Sequence, residues 1–269
     1  MDASKPPLPA ELRRLLGDDA WLADTMGRSG SQVFHIGHGY LKIVPRISLM
    51  SLRAEKERML WLQGRLPVPE VYYYGVDEQN EYLYVSEIPG VMACDPVFQD
   101  DMPELIDLLA QALHMMHAVG IAQCPFDQRL SYRLVLAHQE VQQGRIPEEE
   151  ITAHYPDLTP TMLYEHLVSI WPTEEDLVFA HGDFCLPNIL LDRERHCVSG
   201  FIDLEYAGVA DRYRDLERAC WSLGYNFSQE WIPILLRAYG LEKVDKEKMK
   251  FYAQLNELSW ISELPREDE

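Results

Sequence analysis

The stretch LVFAHGDFCLPNILLD, Leu177 to Asp192, constrains the fold of this chain more than any other. DLVFA and ILLD have the length and composition of short buried strands, and the loop HGDFCLPN joins them. A turn, RERH, follows, and then a third strand candidate, VSGFID, carrying Asp203 near its end. A loop pinned between buried strands is a rigid mount, a usual place for side chains that do chemistry. At 269 residues the chain can bury one large core or two modest ones. With 47% hydrophobic and 25% charged residues it has the balance of an ordinary globular protein.

Asp183 or Asn188 taken singly is as readily a turn-former as a functional group. Together they have the Asp-x-x-x-x-Asn spacing of a kinase catalytic loop, in which the Asp takes the proton of an attacking hydroxyl and the Asn holds a magnesium ion. Asp203 follows fifteen residues after Asn188, where a kinase carries its second metal-binding Asp. The chemistry suits these residue types, because Mg²⁺ prefers hard oxygen ligands and keeps several waters. One carboxylate and one amide oxygen suffice beside the nucleotide phosphates. A kinase also needs a strand lysine and a helix glutamate to pair with it. Lys42 in YLKIV and Glu55 in LRAEKE supply them; Glu57 is an alternative partner, but it lies about 200° round the helix from Glu55. There is no GxxxxGK[ST] loop, which excludes a P-loop enzyme, and GRSGSQVF is not the full GxGxxG of protein kinases. Ser29, Gly30 and Ser31 are left as a weaker phosphate cover, with a simple turn the alternative.

Local patterns divide the chain. QVFHIGHGYLKIV reads as a hairpin turning at Gly37 and Gly39, and LRAEKERMLWLQG as a helix stopping at Gly64. VYYYGV and EYLYVSE read as strands. Beyond Pro89-Gly90, helical patterns run from about Pro103 to Val119, Pro160 to Ile170 and Asp211 to Leu223. The boundary falls at Ile88 to Gly90, giving a nucleotide-binding lobe over 1–88 and a catalytic and acceptor-binding lobe over 89–269. The ending PREDE reads as a solvated tail.

A formal charge of -20 argues against nucleic acid, whose binding draws on clustered Lys and Arg, and by itself suits a cationic small molecule or simply a well-solvated acidic surface. The five cysteines show neither CxxC nor zinc spacing, which points to reduced thiols in the cytoplasm. The N-terminal residues lack a leader pattern, and the most apolar run, LIDLLAQALHMMHAVGIA, is broken by Asp107, Gln111, His114 and His117. Neither export nor membrane insertion is expected, and the chain is expected to be a monomer or weak dimer.

The stretches LRAEKERMLWLQGRLPVP, CPFDQRL, LVFAHGDFCLPNILLD and SGFIDLEYAGVADRYRDL resemble the aminoglycoside phosphotransferase family, most closely its 3′-phosphotransferase branch, over nearly the whole chain. The resemblance implies an α+β, protein-kinase-like two-lobed fold: a β-rich N-lobe, a mostly helical C-lobe and the ATP cleft between them. It makes Asp183 the catalytic base, Asn188 and Asp203 the Mg²⁺ ligands, and Lys42 with Glu55 the nucleotide-aligning pair. Tyr40 falls where the family stacks an aromatic ring on adenine, Ser86 to Ile88 where backbone groups read its edge, and Ser29 on a phosphate-loop serine. ATP is the implied nucleotide, with GTP an open alternative. The family grips its polycationic sugar with carboxylates from a C-lobe insertion and from the C-terminus. Here Glu148, Glu149, Glu150 and Asp157 occupy the insertion and Glu257 matches the terminal glutamate.

The departures lie on the acceptor side. After Ile-Asp the family commonly reads Gly-Arg, whereas this chain has Glu205-Tyr206; an arginine expected in the next helix is replaced by Trp221; and the chain runs on past Glu257 to Glu269. The resulting expectation is an ATP- and Mg²⁺-dependent O-phosphotransferase acting on a hydroxyl of an aminoglycoside antibiotic. Tyr206 and Trp221 motivate a rival acceptor, such as a macrolide, sugar or amino alcohol, since aromatic faces suit apolar or quaternary-ammonium groups. A nucleotide-binding pseudoenzyme is the other rival, and the presence of Lys42, Glu55, Asp183, Asn188 and Asp203 together argues against it.

Overall fold

A computed structural model describes residues 8–24, 31–46 and 51–258. Ser29 and the PREDE ending lie outside the described residues. Helix α1 (Ala10–Leu16) precedes three strands, β1 (Trp21–Asp24), β2 (Gln32–Ile36) and β3 (Gly39–Pro45). Helix α2 (Leu52–Leu62) then crosses to β4 (Val71–Val76) and β5 (Asn80–Ser86), and the five strands form an antiparallel sheet in the order β1-β2-β3-β5-β4. The hairpin between β2 and β3 turns at Gly37, whose φ of +60° is the left-handed value glycine tolerates. Ser51 caps α2 by accepting the Arg53 N–H at 3.2 Å, and the helix gives way to Gly64 at φ +75°, as its sequence predicts.

The rest of the chain is mainly helical. β6 (Val91–Met92) leads into α3 (Met102–His117), α4 (Leu130–Gln142), α5 (Glu148–His154) and α6 (Pro160–Ser169). Four short strands follow, β7 (Leu177–Ala180), β8 (Ile189–Asp192), β9 (Cys197–Phe201) and β10 (Gly208–Asp211), then α7 (Tyr213–Asn226), α8 (Ile232–Ala238) and α9 (Lys246–Asn256). β6, β8 and β9 form one antiparallel sheet, and β10 pairs with β7.

The helix predicted from Asp211 begins only at Tyr213, because Gly208–Asp211 is the partner that satisfies the backbone of β7. The predicted strand through Asp203 stops at Phe201, and Asp203 sits beyond it with φ +56°, a conformation no strand can hold. No helix among the described residues is long and apolar enough to cross a membrane.

One apolar core runs from Met59, Leu62, Leu83 and Val85 through Leu105 and Leu109 to Phe179, Phe201 and Leu216, so sheet and helices share a single interior. Trp61 on α2 stacks on Phe179 of β7 at 5.3 Å and meets Phe126 edge-on at 5.9 Å. A second cluster joins α4, α6 and α9 through Leu130, Leu134, Leu163, Leu167, Phe251 and Leu255.

Arg58 is the polar rivet between the two parts. Fully buried on α2, it donates through Nε to the Ala207 carbonyl at 2.6 Å and through Nη1 to the Ala54 carbonyl at 3.0 Å, with its guanidinium 4.6 Å from the Phe126 ring centre. Removing it takes this donor from the Ala207 carbonyl and leaves a cavity where the guanidinium packed. Arg58→Ala should therefore cost about 2–4 kcal/mol in urea unfolding. Arg53→Ala, which breaks a partly exposed pair with Glu57, should cost under about 0.5 kcal/mol. Equal losses would show that Arg58 is not the tie it is taken to be.

Candidate active site

The loop from His181 to Asn188 is held from beneath by one carboxylate. Asp215, fully buried on α7, accepts the backbone N–H of His181 at 2.7 Å and of Gly182 at 2.8 Å, and lies 3.2 Å from His117 Nε2. The other His117 ring nitrogen is 2.8 Å from the Tyr239 hydroxyl, so α3, α7 and the residue after α8 meet at this point. Burial alone would raise the Asp215 pKa, but the hydrogen bonds and charge of His117 and His181 hold it below the usual carboxylate range. Gly182 takes φ +82°, and a Cβ there would lie 2.2 Å from the Tyr206 carbonyl oxygen, so both conformation and space require glycine. The His181 ring reaches the Ile202 carbonyl at 3.0 Å, and the Ile202 N–H donates to the Asn188 carbonyl at 3.1 Å. These two bonds lock the loop to the segment carrying Asp203.

Asp183 projects from this loop with its two oxygens unequally engaged. Oδ1 accepts Arg218 Nε at 3.1 Å and the Cys185 thiol at 3.1 Å, whereas Oδ2 accepts Asn188 Nδ2 at 3.2 Å. Against a desolvation that would raise it, the Arg218 charge and the thiol keep the Asp183 pKa low, so the group is a carboxylate at neutral pH. Asn188 Nδ2 also donates to the Asp183 carbonyl at 2.9 Å, which turns its amide oxygen to the opposite edge of the side chain.

Lys42 on β3 reaches across the cleft. Its ammonium donates to both Glu55 oxygens, at 2.7 and 2.9 Å, and to Asp203 Oδ1. Burial would lower its pKa, yet Asp203 and Glu55 together hold it well above the ordinary lysine range. Glu205 borders the same cluster; desolvation and the negative charges of Glu55 and Asp203 push its carboxyl up to about 8. The oxygens of Asn188 and Asp203 are a hard, Mg²⁺-compatible donor set on segments bonded to each other.

The remaining sequence candidates fall in two regions. Tyr40 lies on β3 with His35 5.0 Å from its ring. In the Ser86–Ile88 stretch, the Ser86 N–H donates to the Glu70 carbonyl and the Glu87 N–H to the His38 carbonyl, while the Ile88 side chain packs over Gly200. In the second region, α5 meets the end of α9 where His154 Nδ1 lies 3.2 Å from Glu257. Glu148, Glu149, Glu150 and Asp157 are exposed. Tyr206 is partly buried, with the Arg133 guanidinium 5.7 Å from its ring centre. Trp221 stacks on Tyr225 at 5.4 Å and 10°, and both are exposed, at 47% and 65%.

Reading the sequence alone missed Asp215, Cys185, Arg218 and Glu217. Glu217, buried on α7, is held by Asn256 and has its carboxyl pushed up to about 7 by burial. Helical periodicity from Asp215 would have placed Asp215, Arg218 and Ser222 on one face, and Ser222 Oγ indeed accepts the Leu186 N–H of the same loop.

A β-sheet closed by a Lys–Glu pair over a helical part that supplies an Asp and Asn loop is a kinase-like phosphotransfer fold. The chain belongs to the phosphotransferase enzyme family, which matches residues 24–252. It is 35% identical over 263 residues to an aminoglycoside 3′-phosphotransferase of Niallia circulans, covering 96% of this chain and 99% of that one. Among solved structures it is similar to a type VIII aminoglycoside-3′-phosphotransferase, with a TM-score of 0.81, 29% identity and coverage of 92% and 96%. It is also similar to a Streptomyces rimosus aminoglycoside phosphotransferase in complex with ADP and streptomycin, with a TM-score of 0.78, 27% identity and coverage of 93% and 96%.

Gly182→Ala combines backbone strain with a main-chain clash and should cost roughly 2–4 kcal/mol in thermal or urea unfolding. Gly240→Ala has the same sign of φ, +92°, but open space around it and should cost only about 1 kcal/mol. Equal stability of the two variants would sink the packing account of the loop.

Proposed function

We propose that this chain transfers the γ-phosphoryl group of ATP to a hydroxyl of an aminoglycoside, and that this modification confers resistance. Added phosphate puts negative charge and bulk on a polycation and spoils its fit to RNA. The observation that carries the reading is the convergence of Lys42, Glu55 and Asp203 in one ionic cluster beside a loop that presents Asp183 and Asn188. In this reading residues 1–88 bind the nucleotide and 89–269 supply catalysis and acceptor binding, in a protein of the cytoplasm, where ATP is found.

Each residue then has a defined task. Asp183 accepts the hydroxyl proton as the acceptor oxygen bonds to the γ-phosphorus and the bond from that phosphorus to the β–γ bridging oxygen breaks, releasing ADP. Lys42, held by Glu55, aligns the phosphates as a point charge, which requires its contact with Asp203 to open. Asn188 and Asp203 hold Mg²⁺, which when bound neutralises charge on the phosphate oxygens. Tyr40 packs on the adenine and the Ser86–Ile88 backbone reads its edge. The Ser86 amide already serves Glu70, which turns that task toward Ile88. Glu149, Glu150, Asp157 and Glu257 form the cationic-acceptor side, with Tyr206 and Trp221 shaping its wall.

A second acceptor class, an apolar or quaternary-ammonium alcohol, is favoured by the exposed Trp221–Tyr225 stack. A coupled ADP-release assay against streptomycin, 2-deoxystreptamine aminoglycosides such as neomycin, macrolides and choline separates the two. Turnover confined to the aminoglycosides is the expected result, and turnover only of a macrolide or choline would overturn the first reading.

Asp183→Asn should lower kcat by roughly 10²–10⁴ with ATP binding retained, because an amide keeps the shape but cannot take the proton. Near-wild-type turnover would remove Asp183 from the mechanism.

The acidic side predicts a salt response. Affinity for a polycationic acceptor should fall steeply with ionic strength, since screening shortens the reach of exposed charge to about 8–10 Å. Glu257→Gln should reproduce part of that loss, about 3- to 10-fold in acceptor KM, because Glu257 is partly exposed beside His154. KM for ATP should change little in both experiments. An acceptor KM that ignores both salt and Glu257→Gln would rule out electrostatic capture.

A further inference from the structure

Arg218 is a charged group beside the proposed base that the steps above leave unused. Its side chain is about one quarter exposed, with Nε donating to Asp183 Oδ1 at 3.1 Å. Its guanidinium carbon lies 4.7 Å from the Trp221 ring centre, and Trp221 in turn stacks on Tyr225. Residues 218, 221 and 225 follow the spacing of one helix face, so α7 carries a column of planar groups from solvent down to the Asp183 carboxylate.

The column bears on how the carboxylate is presented. The torsion that rotates an aspartate carboxylate is soft and roughly two-fold, so an Asp fixed by a single bond offers either oxygen. Here Oδ1 is taken by a guanidinium and a thiol, and Oδ2 keeps lone-pair capacity beyond its one amide donor. We propose that Arg218, backed by Trp221 and Tyr225, is a positioning residue that locks the Asp183 carboxylate so that Oδ2 is the oxygen presented to the acceptor hydroxyl. The inference rests on Asp183 as the base. The aromatic pair then has a task before any acceptor arrives, because a guanidinium stacked on an indole is held in plane with the oxygen it serves.

The test measures steady-state kinetics of Arg218→Met, Arg218→Lys, Arg218→Ala and Trp221→Leu with ATP and whichever of neomycin and streptomycin wild type turns over faster. Arg218→Met and Arg218→Ala should lower kcat by about 10- to 100-fold, with KM for ATP within about 2-fold and Tm within about 5 °C. Arg218→Lys should recover only part of the rate, because an ammonium lacks the planar fork. Millimolar methylguanidine should partly restore Arg218→Ala, a rescue that repair of a folding defect would not produce. Trp221→Leu should lose about 3- to 10-fold in kcat. In an Asp183→Asn background, Arg218→Ala should cost under about 2-fold, since no carboxylate remains to be oriented.

A folded Arg218→Ala with wild-type kcat and a changed acceptor KM overturns the proposal and makes Arg218 an acceptor contact. Full additivity with Asp183→Asn overturns it as well. If Asp183→Asn alone keeps wild-type kcat, the base assignment falls and this inference with it. An inactive Asp183→Asn beside an unaffected Arg218→Ala sinks this inference alone.

Discussion

The loop that carries Asp183 and Asn188 hangs from the Asp215 carboxylate. A loop that must present an aspartate and an asparagine in fixed directions cannot rely on its own backbone, because it lies between strands and its first N–H groups have no ladder partner. Asp215 accepts the two N–H groups at its start, those of His181 and Gly182. A buried carboxylate is costly unless its oxygens are bonded, and these are shared among two amides and His117. The arrangement makes α7 the reference frame for the chemistry. The residue that anchors the loop, the one that touches Asp183 and the one that caps Leu186 are Asp215, Arg218 and Ser222, all on that helix.

Across the cleft the organising element is a lysine shared by two carboxylates. Glu55 is buried and Asp203 only partly exposed, and the two carboxylates would repel each other if left alone. The ammonium between Glu55 and Asp203 makes the cluster favourable and ties β3 and α2 to the segment after β9. Asp203 adopts a left-handed backbone there, outside the β9 ladder, so its carboxylate faces the cleft rather than either face of the sheet. The same placement sets Asp203 and Asn188 on segments joined by the Ile202 to Asn188 hydrogen bond. Arg58 and the Trp61–Phe179 stack do for the apolar side of this junction what Lys42 does for the polar side.

How much of this could be read from the chain follows from how local each signal is. The β2–β3 hairpin, α2 and the strands flanking the loop carry their own periodicity and stop residues, and they fold where their patterns lie. Lys42, Glu55, Asp183, Asn188 and Asp203 were legible as a set because phosphoryl transfer demands those types in that order. β10 went unassigned apart from Asp211, where the helical pattern began, since GVAD declares itself a strand only through its partner β7. Asp215 was hidden for the same reason: its role is defined by backbone groups more than thirty residues away. Arg218 carries no signal of its own, since the departure in the sequence stands at Trp221, where the resembled family has an arginine. A position one turn earlier on the same helix face can deliver a guanidinium to the same space.

The acceptor side joins two electrostatic demands that pull against each other. In the proposed reading a chain of net charge -20, with the exposed α5 glutamates and the partly exposed Glu257 on its surface, draws a polycation in. The same field makes Asp183 an attractive partner for an ammonium group, and an ammonium docked on the base would hold the hydroxyl away from it. Lowering the charge of the whole region would remove that hazard and the attraction together. A guanidinium on the proposed base separates the two, because Oδ1 is already engaged and a second cation beside it is repelled over a few ångströms, while the wider acidic surface keeps its reach. Stacking on Trp221 lets Arg218 hold that place with part of its own hydration replaced by an aromatic face, at a point where a lysine would be drawn off toward water or Glu217. Trp221, which stands where the resembled family has an arginine, thus acts first on the arginine beside the proposed base, and through it on which part of an acceptor can reach Asp183.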